Sequence, residues 1–104
     1  MSSPSFRVPD LVVSCSPAHA GWVCEVRVGS DPGSTGHHVR VAGETLERFG
    51  LVTDADPDGL VRASFAFLLE REPRESILRS FELSEIARYF PEWEAEIRRR
   101  LTRP

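Results

Sequence analysis

The stretch from Asp56 to Glu72, DPDGLVRASFAFLLERE, constrains the fold of this chain more than any other. It opens with Asp56 as a helix N-cap, Pro57 at the first helical position and Asp58 beside the positive end of the dipole. On a helical wheel Leu60, Val61, Ser64, Phe65, Leu68 and Leu69 share one broad arc, with Ala63, Ala66 and Phe67 outside it. Past Asp58, only Arg62, Glu70 and Arg71 carry charge along the helix, before Glu72 and Pro73 end it. A helix that is apolar most of the way round is covered on more than one side. This one is expected at the centre of the domain, with a sheet on one flank and further helices on another.

The segments before it supply the sheet. Leu11 to Cys15 is a short apolar run followed by the breaker-rich SPAHAG. From Trp22 to Val28 the residues alternate, with Trp22, Cys24, Val26 and Val28 on one face and Val23, Glu25 and Arg27 on the other. GSDPGSTG reads as an open hairpin loop, after which His38 and Arg40 alternate against His37, Val39 and Val41. Gly43 to Phe49 reads as a short helix stopped by Gly50. Beyond Pro73 a short helical segment is expected, with Ile77, Leu78 and Phe81 inward, and then a turn capped by Ser84 carrying Ile86, Tyr89 and Phe90. Pro91 is placed to start a last helix in which Trp93, Ile97 and Leu101 recur every four residues. The expected class is α+β: one domain over residues 1–104, a three-stranded antiparallel meander packed on the central helix, short C-terminal helices, and residues 1–6 as a disordered lead-in.

Composition limits function mainly by exclusion. All 13 basic residues are arginine, so a Walker-type phosphate loop, a Schiff base and a lysine general base are ruled out. A net charge of -3 gives no bulk attraction to nucleic acid or anionic membranes. No apolar run is long enough to cross a bilayer, and MSSPSFRVPD lacks the apolar core of a secretory signal. Two cysteines are too few for a disulfide framework, so a reducing cytoplasm is expected and a Cys15–Cys24 disulfide is not.

The helical half carries a resemblance. FLLEREPRESIL followed by FELSEIARYFPEWEAEI resembles a family of small bacterial proteins to which no activity is attached. The likeness is clearest over Val61 to Ile97, through the strings Glu70–Glu72, Pro73, Glu75–Leu78 and Tyr89–Glu92. Trp93 stands where that family has a smaller aromatic, and Cys15, Cys24 and the paired histidines are not part of its pattern. The resemblance implies a common fold and a bacterial source, and no activity.

Chemical motifs are few. Asp54 to Gly59 has the D-x-D-x-D-G opening of a calcium loop, but its twelfth position is Phe65 instead of a bidentate carboxylate, and Pro57 sits inside it. Helix capping accounts for Asp56 and Asp58. Cys15, His19, Cys24, His37 and His38 are spaced like no common zinc module. No nucleophile elbow is present, and the weak enzyme reading would use His37 or His38 with Asp31. No catalytic, metal or cofactor residue is therefore assigned, and no cofactor is expected.

Two surfaces remain. Arg98, Arg99, Arg100 and Arg103 form the basic cluster, yet Glu94 and Glu96 precede Arg98 and Arg100 by four residues, the favourable order for helix ion pairs. Tyr89, Phe90 and Trp93 meet at a Pro-defined corner, either as a small core or with Tyr89 or Trp93 left as an anchor for a partner. Phe67 and Trp93 exceed what one narrow stripe needs, so Phe67, Tyr89 and Trp93 are the partner-binding candidates. The expectation is a non-enzymatic cytoplasmic module acting through protein–protein contact, with another protein or as a homodimer through a sheet edge or this corner. The alternative is a nucleic-acid-associated regulator using the arginine cluster.

Overall fold

Strict alternation between apolar and polar residues builds the first half of the chain into a sheet with one dry face. The computed structural model describes residues 11–29, 33–51 and 56–101. Strands β1 (Leu11–Ala18), β2 (Gly21–Val28) and β3 (Thr35–Ala42) form the expected antiparallel meander. Cys24, Val26 and Val28 of β2 and His37, Val39 and Val41 of β3 are buried on its inner face. The outer face is polar, and Glu25 there accepts a hydrogen bond from His38 Nδ1 at 2.8 Å, directly across the β2–β3 register.

The first hairpin turns on His19 and Ala20, with Ala20 left-handed at φ 64°. Gly21 follows because β2 starts hard against the end of β3, where a Cβ would lie 2.2 Å from the Val41 carbonyl oxygen. Helix α1 (Gly43–Arg48) comes next, and Gly50, at φ 77°, stops it. Helix α2 (Asp58–Leu69) is the central element. The Asp56 carboxylate accepts a hydrogen bond from the Asp58 backbone N–H at 2.9 Å, so it does satisfy an orphan donor. Regular helix nevertheless begins one residue after Pro57 and ends three residues before Glu72.

After α2 the chain departs from the expected helical segment. A single 3-10 turn at Arg74–Ser76 leads into β4 (Ser80–Glu82), which pairs in parallel with β3. The sheet is therefore four-stranded and mixed, in the order β1-β2-β3-β4, and not a three-stranded meander. A parallel neighbour needs a crossover, and α1 and α2 are that crossover. Leu83–Glu85 form another 3-10 turn, α3 is Ile86–Tyr89, and α4 is Trp93–Leu101, starting two residues after Pro91.

Glu82, and not Ser84, caps the turn after β4. Its Oε1 accepts the Ser84 N–H at 2.9 Å, while the Glu85 carboxylate accepts the Glu82 N–H at 3.1 Å, a reciprocal capping box. Its other oxygen accepts from the Ala42 N–H at 3.1 Å and the Thr45 hydroxyl at 3.0 Å, at the start of α1. Ala42 is the N-cap of α1 and has no side-chain acceptor of its own, so a residue forty positions away supplies it. One carboxylate thus serves two helical N-termini and ties β4 to the end of β3.

Helix α4 closes the second flank of α2. Trp93 is fully buried, stacks edge-on against Phe49 at 5.2 Å and donates its indole N–H to Ser64 Oγ at 3.1 Å. Ser64 on the apolar arc of α2 is explained by that bond, since a buried indole needs an acceptor. The cysteines also depart from expectation: Cys15 and Cys24, opposed in the β1–β2 register, form a disulfide. Their facing position on adjacent strands brings the sulfurs together, which strand spacing in sequence could not show. No helix among the described residues is long and apolar enough to cross a membrane. The disordered lead-in expected at residues 1–6 lies outside the described residues.

Two outcomes follow for stability. Replacing both cysteines by serine is expected to cost about 2–3 kcal/mol by the loop-entropy relation, measured as a lower urea midpoint than the oxidised protein; equal midpoints would show the bond carries no stability. Glu82→Ala is expected to cost about 2–3 kcal/mol, with Glu82→Gln costing less because it keeps two acceptor lone pairs. A loss under about 0.5 kcal/mol for the alanine variant would sink the double-cap assignment.

Candidate functional site

Past the 3-10 turn at Arg74–Ser76 the backbone is extended at Ile77 and again in β4, and extended backbone sends neighbouring side chains to opposite sides. Ile77 (φ -76°, ψ 135°) and Phe81 turn inward and are buried, whereas Leu78 between them is 46% exposed. The helical expectation placed all three inward; the extended conformation is why Leu78 is not. Helix α3 is one turn long and sets Ile86 into the core and Tyr89, 66% exposed, at the surface.

Between the end of α2, this extended segment and α3 lies a cleft of about 260 Å³. Leu68, Ile77, Phe81 and Ile86 contribute its buried apolar floor, and Leu78 and Tyr89 are its exposed apolar rim. Glu72 and Glu85 line the same cleft. Glu72 is half-buried, and its carboxylate has no hydrogen bond or ion pair among the described residues. Glu85 meets Arg40 only at 3.9 Å.

The three aromatic candidates separate. Tyr89 is at the surface; Phe67 and Trp93 are both fully buried and cannot contact a partner from where they sit. Phe67, off the expected apolar arc, is covered by the Arg71 guanidinium 3.6 Å above its ring, by Arg100 at 5.8 Å and by Phe90 edge-on at 5.9 Å. The excess aromatics close α4 onto α2. Leu78, Glu72 and Glu85 were not candidates from sequence, because β4 is only three residues long and leaves no period to read.

The arginines of α4 are held by carboxylates. Arg98 contacts Glu94 at 3.0 Å and the Arg48 carbonyl, Arg99 contacts Glu96, and Arg100 bridges Glu96 at 2.9 Å and Glu70 at 2.8 Å. Both ion pairs expected from the i,i+4 spacing form. Although burial works against its charge, hydrogen bonds to Glu70 and Glu96 hold the Arg100 pKa above its ordinary value. The hydrogen bonds from Arg99 and Arg100 keep the Glu96 carboxyl below the usual range. Arg103 lies outside the described residues.

The histidines are dispersed. His37 is buried: its Nδ1–H donates to the Leu78 carbonyl at 2.7 Å, leaving Nε2 to accept the Thr35 hydroxyl at 2.9 Å, with Phe65 edge-on at 5.4 Å. His38 faces Glu25 on the opposite side of the sheet, His19 is in the exposed hairpin turn, and Asp31 lies outside the described residues. Among the described residues no three His, Cys, Asp or Glu side chains are grouped to hold a metal ion. Comparison with family models, curated proteins and solved structures finds no match for this chain.

His37 therefore holds the rim of the cleft to β3. Desolvation lowers its pKa below the ordinary value, the Leu78 carbonyl opposes this, and nearby Arg79 adds to it. The unfolded chain then binds a proton that the folded one resists, so stability is full above about pH 6.5 and falls as pH drops below it. Urea midpoints between about pH 7.5 and 5.5 should decline in the parent and flatten in His37→Gln. A parent profile as flat as the variant's would remove this role.

Proposed function

We propose that this chain is a non-enzymatic interaction module that docks a partner protein through the cleft beside Tyr89. One observation carries the reading: a tyrosine and a leucine, 66% and 46% exposed, flank an apolar floor that the fold leaves open. Aromatic side chains at such positions dominate binding energy in protein interfaces. At about 260 Å³ the cleft is at the small end of ligand-sized sites and has room for a bulky side chain of a partner. The histidines lend an enzyme no support, since His37 has both ring nitrogens engaged within the fold. Nor does the nucleic-acid alternative gain a specific observation, because Arg98, Arg99 and Arg100 are engaged by glutamates.

Kinship with the small bacterial family is part of the same proposal and rests on the Val61 to Ile97 strings alone. A cytoplasmic location loses the argument from free thiols, given the Cys15–Cys24 bond, and docking at Tyr89 does not depend on compartment.

Capture from native lysate with parent and Tyr89→Ala baits, each with and without nuclease, tests the reading. A stoichiometric protein should be retained by the parent and lost with Tyr89→Ala, whose affinity should drop by about 2 kcal/mol, roughly thirtyfold. The variant's thermal midpoint should be unchanged, because Tyr89 is exposed. A partner held equally by both baits would defeat the proposal. So would nuclease-sensitive material lost on replacing Arg98, Arg99 and Arg100, which would establish the nucleic-acid alternative instead.

A further inference from the structure

We infer that the occupant of the cleft is a linear peptide segment presenting an apolar side chain beside an arginine or lysine. This rests on the docking reading above and adds the chemistry of the partner. Three observations converge on a cation. Glu72 is partly buried and its carboxylate has no partner among the described residues, so it is open to a charge-assisted hydrogen bond from a cationic donor. Glu85 adds a second negative charge to the same cleft, with Arg40 no nearer than 3.9 Å. Among the described residues no arginine lines the cleft, the nearest guanidinium at the end of α2, that of Arg71, being turned to the Phe67 carbonyl.

The chain's own cations nearby are committed elsewhere. Arg71 donates to the Phe67 carbonyl at 3.2 Å and to Glu92 at 3.3 Å, and Arg74 donates to the Gly33 carbonyl at 3.0 Å. Arg79 and Arg88 are exposed and do not line the cleft. Tyr89 offers an aromatic face on the rim, where an incoming guanidinium can stack. The floor takes the apolar neighbour. An apolar anchor flanked by a cation is the complement of that arrangement, whereas an acidic segment would meet two glutamates.

Selection of a phage-displayed library of random linear peptides against the immobilised full-length chain tests this, followed by anisotropy titration of the consensus peptide. The expected consensus places Arg or Lys within a few residues of a bulky apolar residue. Its binding should weaken roughly tenfold or more with Tyr89→Ala and about three- to tenfold with Glu72→Gln, and should fall as salt is raised. Glu72→Gln is suitable because its carboxylate makes no hydrogen bond that holds the fold. A consensus that is acidic or uncharged, lost with Tyr89→Ala but indifferent to Glu72→Gln, overturns the cationic class and leaves docking at Tyr89 standing. A Tyr89-dependent dimer seen by light scattering, with no peptide enriched, replaces the peptide by a second copy of this chain. If neither peptide binding nor self-association depends on Tyr89, the inference falls. The docking reading falls with it only where lysate capture is also unaffected by Tyr89→Ala.

Discussion

Parallel pairing of a three-residue strand supplies few hydrogen bonds of its own, so β4 stays in place because side chains pin it there. Everything on the C-terminal side of the molecule depends on that pinning. Glu82 fastens one end to Ala42 and Thr45, and His37 fastens the approach to it through the Leu78 carbonyl. Between those clamps Phe81 is pushed into the core beside Phe65, with ring centroids 6.2 Å apart. The two clamps differ in kind. Glu82 works as a charged acceptor for donors that would otherwise be unpaired, whereas His37 works as a donor from a buried ring.

The cleft is a consequence of this arrangement. Extended backbone at Ile77 sends its neighbour to the opposite side, so burying Ile77 exposes Leu78. A helix of one turn then cannot spread its aromatics around a full circumference. Phe90 leans onto Phe67, Trp93 reaches Ser64, and Tyr89 is left outside. The apolar rim therefore arises from backbone geometry that the core itself requires, and the fold did not have to be strained to make it.

Charge is distributed to the same effect. With arginine as the sole basic residue, the chain uses planar guanidiniums as covers and ties: Arg71 over Phe67, Arg100 between α4 and the end of α2. Surface ion pairs of this kind contribute little stability individually. Their larger effect is to draw positive charge to the α2–α4 seam and leave Glu72 and Glu85 to set the potential at the cleft.

Periodicity along the sequence determined what it can determine: which residues of β2 and β3 face inward, that α2 is covered on two flanks, where α1 stops, and which glutamates pair with Arg98 and Arg100. Those properties depend on neighbours within one or two turns or along one strand. Tertiary structure alone decided the rest. The partner of β4 lies forty-two residues upstream, the acceptor for Trp93 lies twenty-nine residues away, and Cys15 meets Cys24 only through strand register. The site was half legible: Tyr89 was a candidate, but Phe67 and Trp93 looked equally available, and Glu72, Leu78 and Glu85 carried no signal. Exposure is a property of what other segments cover, and a one-dimensional pattern records which side of an element is apolar without recording whether anything comes to lie against it.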